Sequence, residues 1–230
     1  MIIKGKTFNE LYIKTALAFF DEGLEVSPRG KQTLELQNVT LELQDPTANL
    51  ITLKSRNLSN KYLKAELDWY KSGSRHIAHI EKHASMWKKI ANDQGFINSN
   101  YGAFVYHDSY EGKTQYDWCL DALKEDRLSR QAVINYNSPM HKYKNNKDFV
   151  CTIAQQFYIR DECLHSTVMM RSNDFIYGLA YDLPWFTHVQ RDLAKDLGVK
   201  IGKYTHFAVS LHTYKKHFNM LKEIANEIIH

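Results

Sequence analysis

Apolar residues recur along this chain with two distinct periods. Between Phe8 and Phe20, the positions Leu11, Tyr12, Ala16, Phe19 and Phe20 fall three or four apart. That spacing predicts a helix with one buried face, ended at Glu22-Gly23. From Thr33 to Leu43, the residues Leu34, Leu36, Val39, Leu41 and Leu43 alternate with polar ones. A period of two predicts a strand, broken near Gln37-Asn38 where the alternation slips. Between them SPRG (27–30) is a turn that exposes Arg29. Ser59 is placed to cap a helix carrying Tyr62, Leu63, Glu66, Leu67 and Tyr70. Further helices are predicted over 83–92, 115–126, 183–197 and 214–229, the third with Pro184 in its first turn and Asp182 as its N-cap. The segment 97–106 reads as an irregular polar edge, 138–148 as an exposed loop without chemistry, and 204–211 as a strand.

The richest stretch is FVCTIAQQFYIRDECLHSTVMMRSNDFIYGLAYD, from Phe149 to Asp182. Cys151 lies in its first apolar run and Gln156 follows five residues later. A second run, Thr167 to Met170, leads into Arg171-Ser172-Asn173-Asp174, and the stretch closes on Gly178 and Asp182. Two adjacent strand-like segments can bring a cysteine, an arginine and carboxylates to one pocket, as attack on a small anionic molecule requires. A guanidinium beside the thiol would raise its thiolate fraction, and Arg171 is the natural candidate.

At 230 residues the chain is long enough for one domain, 1–230, with a substantial core. Its net charge of +4 suits an anionic substrate but falls short of the clustered basic face of a dedicated nucleic-acid binder, so no nucleic-acid partner is expected. The cysteines Cys119, Cys151 and Cys163 are odd in number and irregularly spaced. They form neither a disulfide framework nor a metal-binding CxxC pair, which points to a reducing compartment and no metal. Cys119 falls on the inner face of the helix predicted over 115–126 and reads as inert packing. The opening MIIKGKTFNE has no apolar core of signal-peptide length, and no run reaches membrane-spanning length.

The order Cys, Gln, Arg-Ser-x-Asp, Gly and a residue at a helix entrance resembles the thymidylate synthase superfamily, and most of all its phage deoxycytidylate hydroxymethylase branch. The resemblance continues in AELDWYKSG (65–73), INSNYG (97–102) and SLHTYKKHF (210–218), and so runs from Leu11 to Phe218. It implies an α+β, thymidylate synthase-like fold: a large mixed β-sheet flanked by helices, in a sheet-to-sheet homodimer. It implies that Cys151 attacks carbon 6 of a pyrimidine nucleotide, after which carbon 5 takes a one-carbon unit from methylenetetrahydrofolate. Glu66 and Tyr101 join Cys151 and Asp182 as catalytic residues, Glu66 organising water and protons over the base. On spacing alone, Glu66 reads as a boundary carboxylate and Trp87 as a core residue.

For the nucleotide, the resemblance implies Arg171 as the phosphate ligand within the subunit, Arg130 as one donated across the dimer, and Arg29 as another. Gln156, Ser172, Asn173, Asp174 and Asp182 would serve the base and phosphate, and His212 with Tyr214 the sugar 3′-hydroxyl. Met86, Trp87, Asp174, Tyr177, Gly178 and Tyr181 would border the folate. The chain departs from the family pattern at Arg130-Gln131, where two consecutive arginines are usual, and at Arg29, displaced by one residue.

Asp182 bears on the choice of base. The resemblance places it where thymidylate synthases carry asparagine, whose amide matches the ring N–H and carbonyl of uracil. Cytosine offers an unprotonated ring nitrogen beside an amino group. A protonated carboxyl pairs with that edge, as does a carboxylate with ring-protonated cytosine. Sixteen residues follow Tyr214, without the long closing segment of the synthases, which should leave the site wetter and let water add. The expectation is therefore transfer of a hydroxymethyl group to dCMP, with folate as co-substrate, in the cytoplasm of a phage-infected bacterium. A dCMP methylase and a dUMP-methylating thymidylate synthase stay open within the family. A non-catalytic RNA-binding relative stays open outside it, favoured by Lys142-Tyr143-Lys144 and opposed by Glu66, Cys151, Arg171 and Asp182 together.

Overall fold

A computed structural model of the chain describes residues 1–228. The strands are β1 (Ile2–Gly5), β2 (Leu24–Val26), β3 (Thr33–Leu43), β4 (Ser109–Tyr110), β5 (Lys113–Thr114), β6 (Val133–Asn135), β7 (Thr152–Arg160), β8 (Cys163–Met170), β9 (Asn173–Asp174) and β10 (Lys200–Tyr214). The α-helices are α1 (Phe8–Glu22), α2 (Asn60–Ser72), α3 (Met86–Ile90), α4 (Gln115–Glu125), α5 (Ala180–Leu197) and α6 (Phe218–Ala225). They fall into two compact units, one made of Met1–Leu58 with the chain from Arg160 onward, the other of Ser59–Ile159.

The first unit is organised on a mixed sheet. β1 runs parallel to β3, β3 antiparallel to β10, and β10 parallel to β8 and β9, while β2 adds to β3 antiparallel. Helices cover it because their apolar stripes match its faces. α1 buries Phe8, Leu11, Tyr12, Thr15, Ala16 and Phe19, and Thr7 caps it by accepting from the Glu10 N–H. Phe20, expected on that stripe, is exposed. α1 packs on β1 and β3, and α6 packs on α1. The approach is close enough that a Cβ at Gly5 would lie 2.6 Å from the Leu11 nitrogen, so only glycine fits there. α5 packs on β8 and β10 and is buried nearly all round.

Two irregularities have physical reasons. β3 is continuous where a break was expected. Asn38 takes a positive φ of 52° within it, so Leu36 and Val39, three apart, are both buried. The pairing of β8 with β10 slips between Ile201 and Tyr204. There the buried Gln190 amide of α5 donates to the carbonyls of Leu164, Gly202 and Lys203. A polar side chain in an apolar helix face thus satisfies backbone acceptors around the slip. β10 is also longer than the predicted 204–211. α6 is shorter than the predicted helix over 214–229, because Lys215–His217 forms a 3₁₀ turn first. Ile229, the expected end of that helix, lies outside the described residues.

In the second unit, α2 begins as expected: Ser59 Oγ accepts from the Tyr62 N–H, and Gly73 ends the helix in the left-handed region. α4 opens with a reciprocal capping box between Thr114 and Asp117. β6 and β7 pair antiparallel, Val133 opposite Gln156. The helix expected over 83–92 contracts to the five residues of α3. The loop over 138–148, expected to be exposed, is only partly so. Met140 is 85% exposed, but His141 and Asp148 are buried. Asp148 accepts from the backbone N–H groups of Asn98 and Ser99 and from the Ser99 hydroxyl, at 2.7–2.8 Å. It therefore holds the polar segment that leads to Tyr101.

Removing that carboxylate leaves buried donors without an acceptor. Asp148→Ala should destabilise the protein by about 3 kcal/mol in urea unfolding, the scale of charge-assisted hydrogen bonds lost in the interior. A change below half that value would mean that water replaces the carboxylate.

Candidate active site

In the second unit, Glu66 sits on α2 and is 5% exposed. Tyr62, one turn earlier, donates its hydroxyl to Glu66 Oε1 at 2.5 Å, and Trp87 Nε1–H donates to the Tyr62 oxygen at 3.1 Å. A buried carboxylate is retained when it is hydrogen-bonded, and this chain of donors also orients it. Trp87 is thus both core and a polar link. Tyr62 was legible as the i−4 neighbour of Glu66 on one helix face but was read only as packing. Tyr101 is buried, stacked on Tyr70 at 5.3 Å and edge-on to Tyr136.

Cys151 lies immediately before β7, half-buried, its thiol 4.0 Å from the Phe149 carbonyl oxygen. Cys119 is 1% exposed, and burial pushes its thiol up to about 12, which makes it inert. Arg130 is exposed, and its carbonyl accepts from Gln156 Nε2 at 3.0 Å. The neighbouring Gln155 is the buried amide and accepts from the Tyr136 hydroxyl. Met86 is 45% exposed.

In the first unit, Phe175–Leu179 forms one wide π-type turn between β9 and α5. Asp174 caps it, Oδ1 accepting from the N–H groups of Ile176 and Tyr177 at 2.8 and 2.9 Å. The turn runs directly into α5, so Asp182 is not the N-cap expected of it. It stands at the third residue of the helix, one turn inside. Its carboxyl Oδ2 instead accepts from Asn173 Nδ2 at 2.8 Å. Burial pushes the Asp182 pKa up to about 6, against the pull of the Asn173 hydrogen bond and aided by the charge of Asp174. The acid is therefore accessible in both protonation states close to neutral pH.

β9 pairs with β10 so that Asn173 lies opposite Leu211 and Asp174 opposite His212. His212 and Tyr214 share a face, as two residues apart on a strand must, with ring centroids 5.4 Å apart. The backbone thus gathers Asn173, Asp174, His212, Tyr214 and, through the π-type turn, Gly178 and Asp182. Arg171 and Ser172 are half-buried just before β9. Arg29 is exposed on the 3₁₀ turn Pro28–Gly30, with φ 54°. Tyr177 is 50% exposed, whereas Tyr181 is buried, with the Arg56 guanidinium over its ring at 5.5 Å. Arg56, itself buried, donates to the Ile176 carbonyl at 2.7 Å and so braces the turn. No spacing signal marked it, since it stands alone in a loop.

Among the described residues no group of three or more His, Cys, Asp or Glu side chains is placed to hold a metal ion, and no helix is long and apolar enough to cross a membrane.

The chain as a whole is matched by known proteins. The family profile described as thymidylate synthase matches residues 10–228. Deoxycytidylate 5-hydroxymethyltransferase of Enterobacteria phage T4 is 31% identical over 96% of this chain and 92% of its own length. Deoxyuridylate hydroxymethyltransferase of Bacillus phage SP01 is 28% identical over 91% of this chain and 58% of its own. The solved structure of thermostable thymidylate synthase A from Bacillus subtilis superposes with a TM-score of 0.77 at 21% identity, covering 96% of this chain and 85% of that one. The last match shows the shared fold, and the profile, spanning nearly the whole chain, shows the lineage: the chain belongs to the thymidylate synthase family.

Proposed function

We propose that the protein transfers a one-carbon unit from methylenetetrahydrofolate to carbon 5 of dCMP and releases 5-hydroxymethyl-dCMP. The observation that carries the choice of base is the Asp182 carboxyl, held by Asn173 and raised to about 6. A carboxyl that titrates close to neutrality can pair with the ring nitrogen and amino group of cytosine, as the protonated acid or as a carboxylate against ring-protonated cytosine. Uracil, with a ring N–H and a carbonyl at that edge, requires the reverse pair. The phage T4 relative, named for the same reaction, supports the hydroxymethyl product. The phage SP01 relative favours a second reading, hydroxymethyl transfer to dUMP.

In this reading the residues from 1 to 230 act as one catalytic domain. The Cys151 sulfur forms a bond to carbon 6, and the electron pair of the 5,6 double bond moves to carbon 5. Carbon 5 takes the methylene carbon of the folate. Loss of the carbon 5 proton then drives cleavage of the bond between the transferred carbon and the folate nitrogen, so that tetrahydrofolate leaves with that electron pair and an exocyclic methylene remains. Water adds to it before the thiolate leaves carbon 6. Glu66, oriented by Tyr62, handles water and protons in these steps, and Tyr101 stands with it. Arg171, with Arg29, grips the phosphate, because a guanidinium fork matches its oxygens. Gln156, Ser172, Asn173 and Asp174 serve the base and phosphate, and His212 with Tyr214 the sugar. Of the proposed folate residues, Met86 and Tyr177 have exposed surface to offer, while Trp87 and Tyr181 are buried. The protein works as a homodimer joined sheet to sheet, and Arg130 serves the second copy's phosphate.

Cys151→Ser should abolish turnover while nucleotide binding stays measurable by calorimetry, and mass spectrometry of the trapped adduct should place it on Cys151. An adduct on Cys119 or Cys163, or sustained turnover by Cys151→Ala, would overturn the assignment.

Mixed dimers of Arg130→Ala and Cys151→Ala subunits should regain activity that neither parent shows, since one hybrid site is whole. Silent heterodimers, or a fully active monomer, would remove Arg130 from the site.

Incubation with dCMP or dUMP, folate and product mass spectrometry tests base and product together. Asp182→Asn should shift the ratio of kcat/KM for dCMP over dUMP by roughly ten- to a hundredfold toward dUMP. The same variant should be the more stable at neutral pH. The folded pKa of about 6 exceeds the ordinary carboxylate value of 3.8, so the folded state holds a proton that the unfolded chain releases. The wild type therefore loses stability as pH rises from about 4 through 6, by at most about 3 kcal/mol, and Asp182→Asn escapes that loss. A wild type that prefers dUMP sinks the dCMP assignment.

A further inference from the structure

A neutral carboxylic acid is an ambivalent reader of pyrimidines. With its proton on one oxygen it matches cytosine, and with the proton on the other it matches uracil. Something must break that symmetry if Asp182 is to select a base.

Asn173 is placed to do so. It is 3% exposed, fixed in β9 by pairing with β10, and its Nδ2–H donates to Asp182 Oδ2 at 2.8 Å. Its own Oδ1 is buried and finds no hydrogen-bond partner among the described residues. A buried amide oxygen without a donor is costly, so the amide is held in this orientation by the Asp182 contact. The opposite orientation would set two acceptor oxygens against each other whenever Asp182 is ionised.

Gly178 keeps the contact open. A Cβ there would lie 2.8 Å from Asn173 Nδ2 and 3.1 Å from Asp182 Oδ2, so any side chain would wedge the pair apart. The close approach, not a left-handed backbone, is what calls for glycine.

We propose that Asn173 is a positioning residue for Asp182: by donating to Oδ2 it reserves that oxygen as an acceptor, directs the carboxyl proton to Oδ1, and so makes the acid specific for cytosine. The inference rests on the dCMP reading above. Oδ1–H then meets the ring nitrogen, and Oδ2 accepts from both Asn173 and the exocyclic amine. Uracil would need a proton on Oδ2, where the Asn173 N–H already points. Asp174, the charged side chain that acts on Asp182 from the preceding turn, raises the pKa but cannot choose between the oxygens, because it makes no hydrogen bond to either.

Three variants test this: Asn173→Ala, Asn173→Ser, and Gly178→Ala, which retains both side chains of the pair. The first measurement is the carboxyl ¹³C titration of Asp182 in the free protein, assigned by its loss in Asp182→Asn. Asn173→Ala and Gly178→Ala should both move the titration to higher pH, because each removes a donor that favours the carboxylate. The second is the kcat/KM ratio for dCMP over dUMP. It should fall about tenfold in both, with dUMP gaining relative to dCMP, and recover in part in Asn173→Ser if the hydroxyl donates in place of the amide. A general loss of packing would lower turnover on both nucleotides together and leave the ratio in place. An unmoved titration or an unmoved ratio in folded variants overturns the proposal. Should the wild type prefer dUMP, the dCMP reading falls and the orientation given to Oδ1 and Oδ2 falls with it, while the titration still reports whether Asn173 holds the carboxyl.

Discussion

β10 is a fifteen-residue strand with both edges occupied, and the first unit hangs on that pairing. One edge takes β3 from Tyr204 opposite Leu43 to Tyr214 opposite Thr33. The other takes β8 and then, past its end, the two residues of β9. A slip of one residue would turn every inner side chain outward, so the register is fixed by burial as well as by hydrogen bonds. The order of the polar residues follows from it. β9 is held opposite Leu211 and His212, the turn capped by Asp174 leaves from there, and α5 carries Asp182 back to Asn173. The distance between two side-chain atoms in the site is thus set by main-chain pairing tens of residues away.

Much of this was legible in the sequence. α1, α2 and α4 have clean periods, and Ser59 was legible as the cap of α2, while Thr7 and Thr114, residue types that capping favours equally, were not read as the caps of α1 and α4. The motif residues from Cys151 to Asp182 were read from a resemblance in their order, which periodicity alone could not have shown. What escaped was local geometry that sequence patterns encode weakly. Asn38 bends β3 without ending it, since asparagine tolerates a left-handed backbone. Asp182 looked like a cap because it stands two residues before Pro184. A wide turn has no sequence signature, so the true cap, Asp174, went unread as one. Asp148 and Arg56 act at long range on backbone groups, and nothing in their neighbours announces it.

The two units use charge in the same way. Each fixes a carboxylate with donors from the chain: the buried Asp148 with two backbone N–H groups and a hydroxyl, the half-buried Asp174 with two backbone N–H groups at the head of a turn. Asp148 accepts from the chain through both of its oxygens, whereas Asp174 commits only Oδ1 to its turn. Asp182 differs in receiving a single side-chain donor in a desolvated place, and burial pushes its pKa up to about 6.

The buried thiol of Cys119 has a use unrelated to catalysis. With its pKa pushed up to about 12 and 1% of its surface exposed, its thiolate fraction at pH 8 is on the order of one in ten thousand, and reagent cannot reach it in the closed state. Any alkylation of Cys119 therefore times the opening of α4, whereas the half-buried Cys151 and Cys163 stand closer to reagent in the closed protein. The wild-type chain carries its own clock for local unfolding of the second unit, readable by peptide mass without an introduced probe.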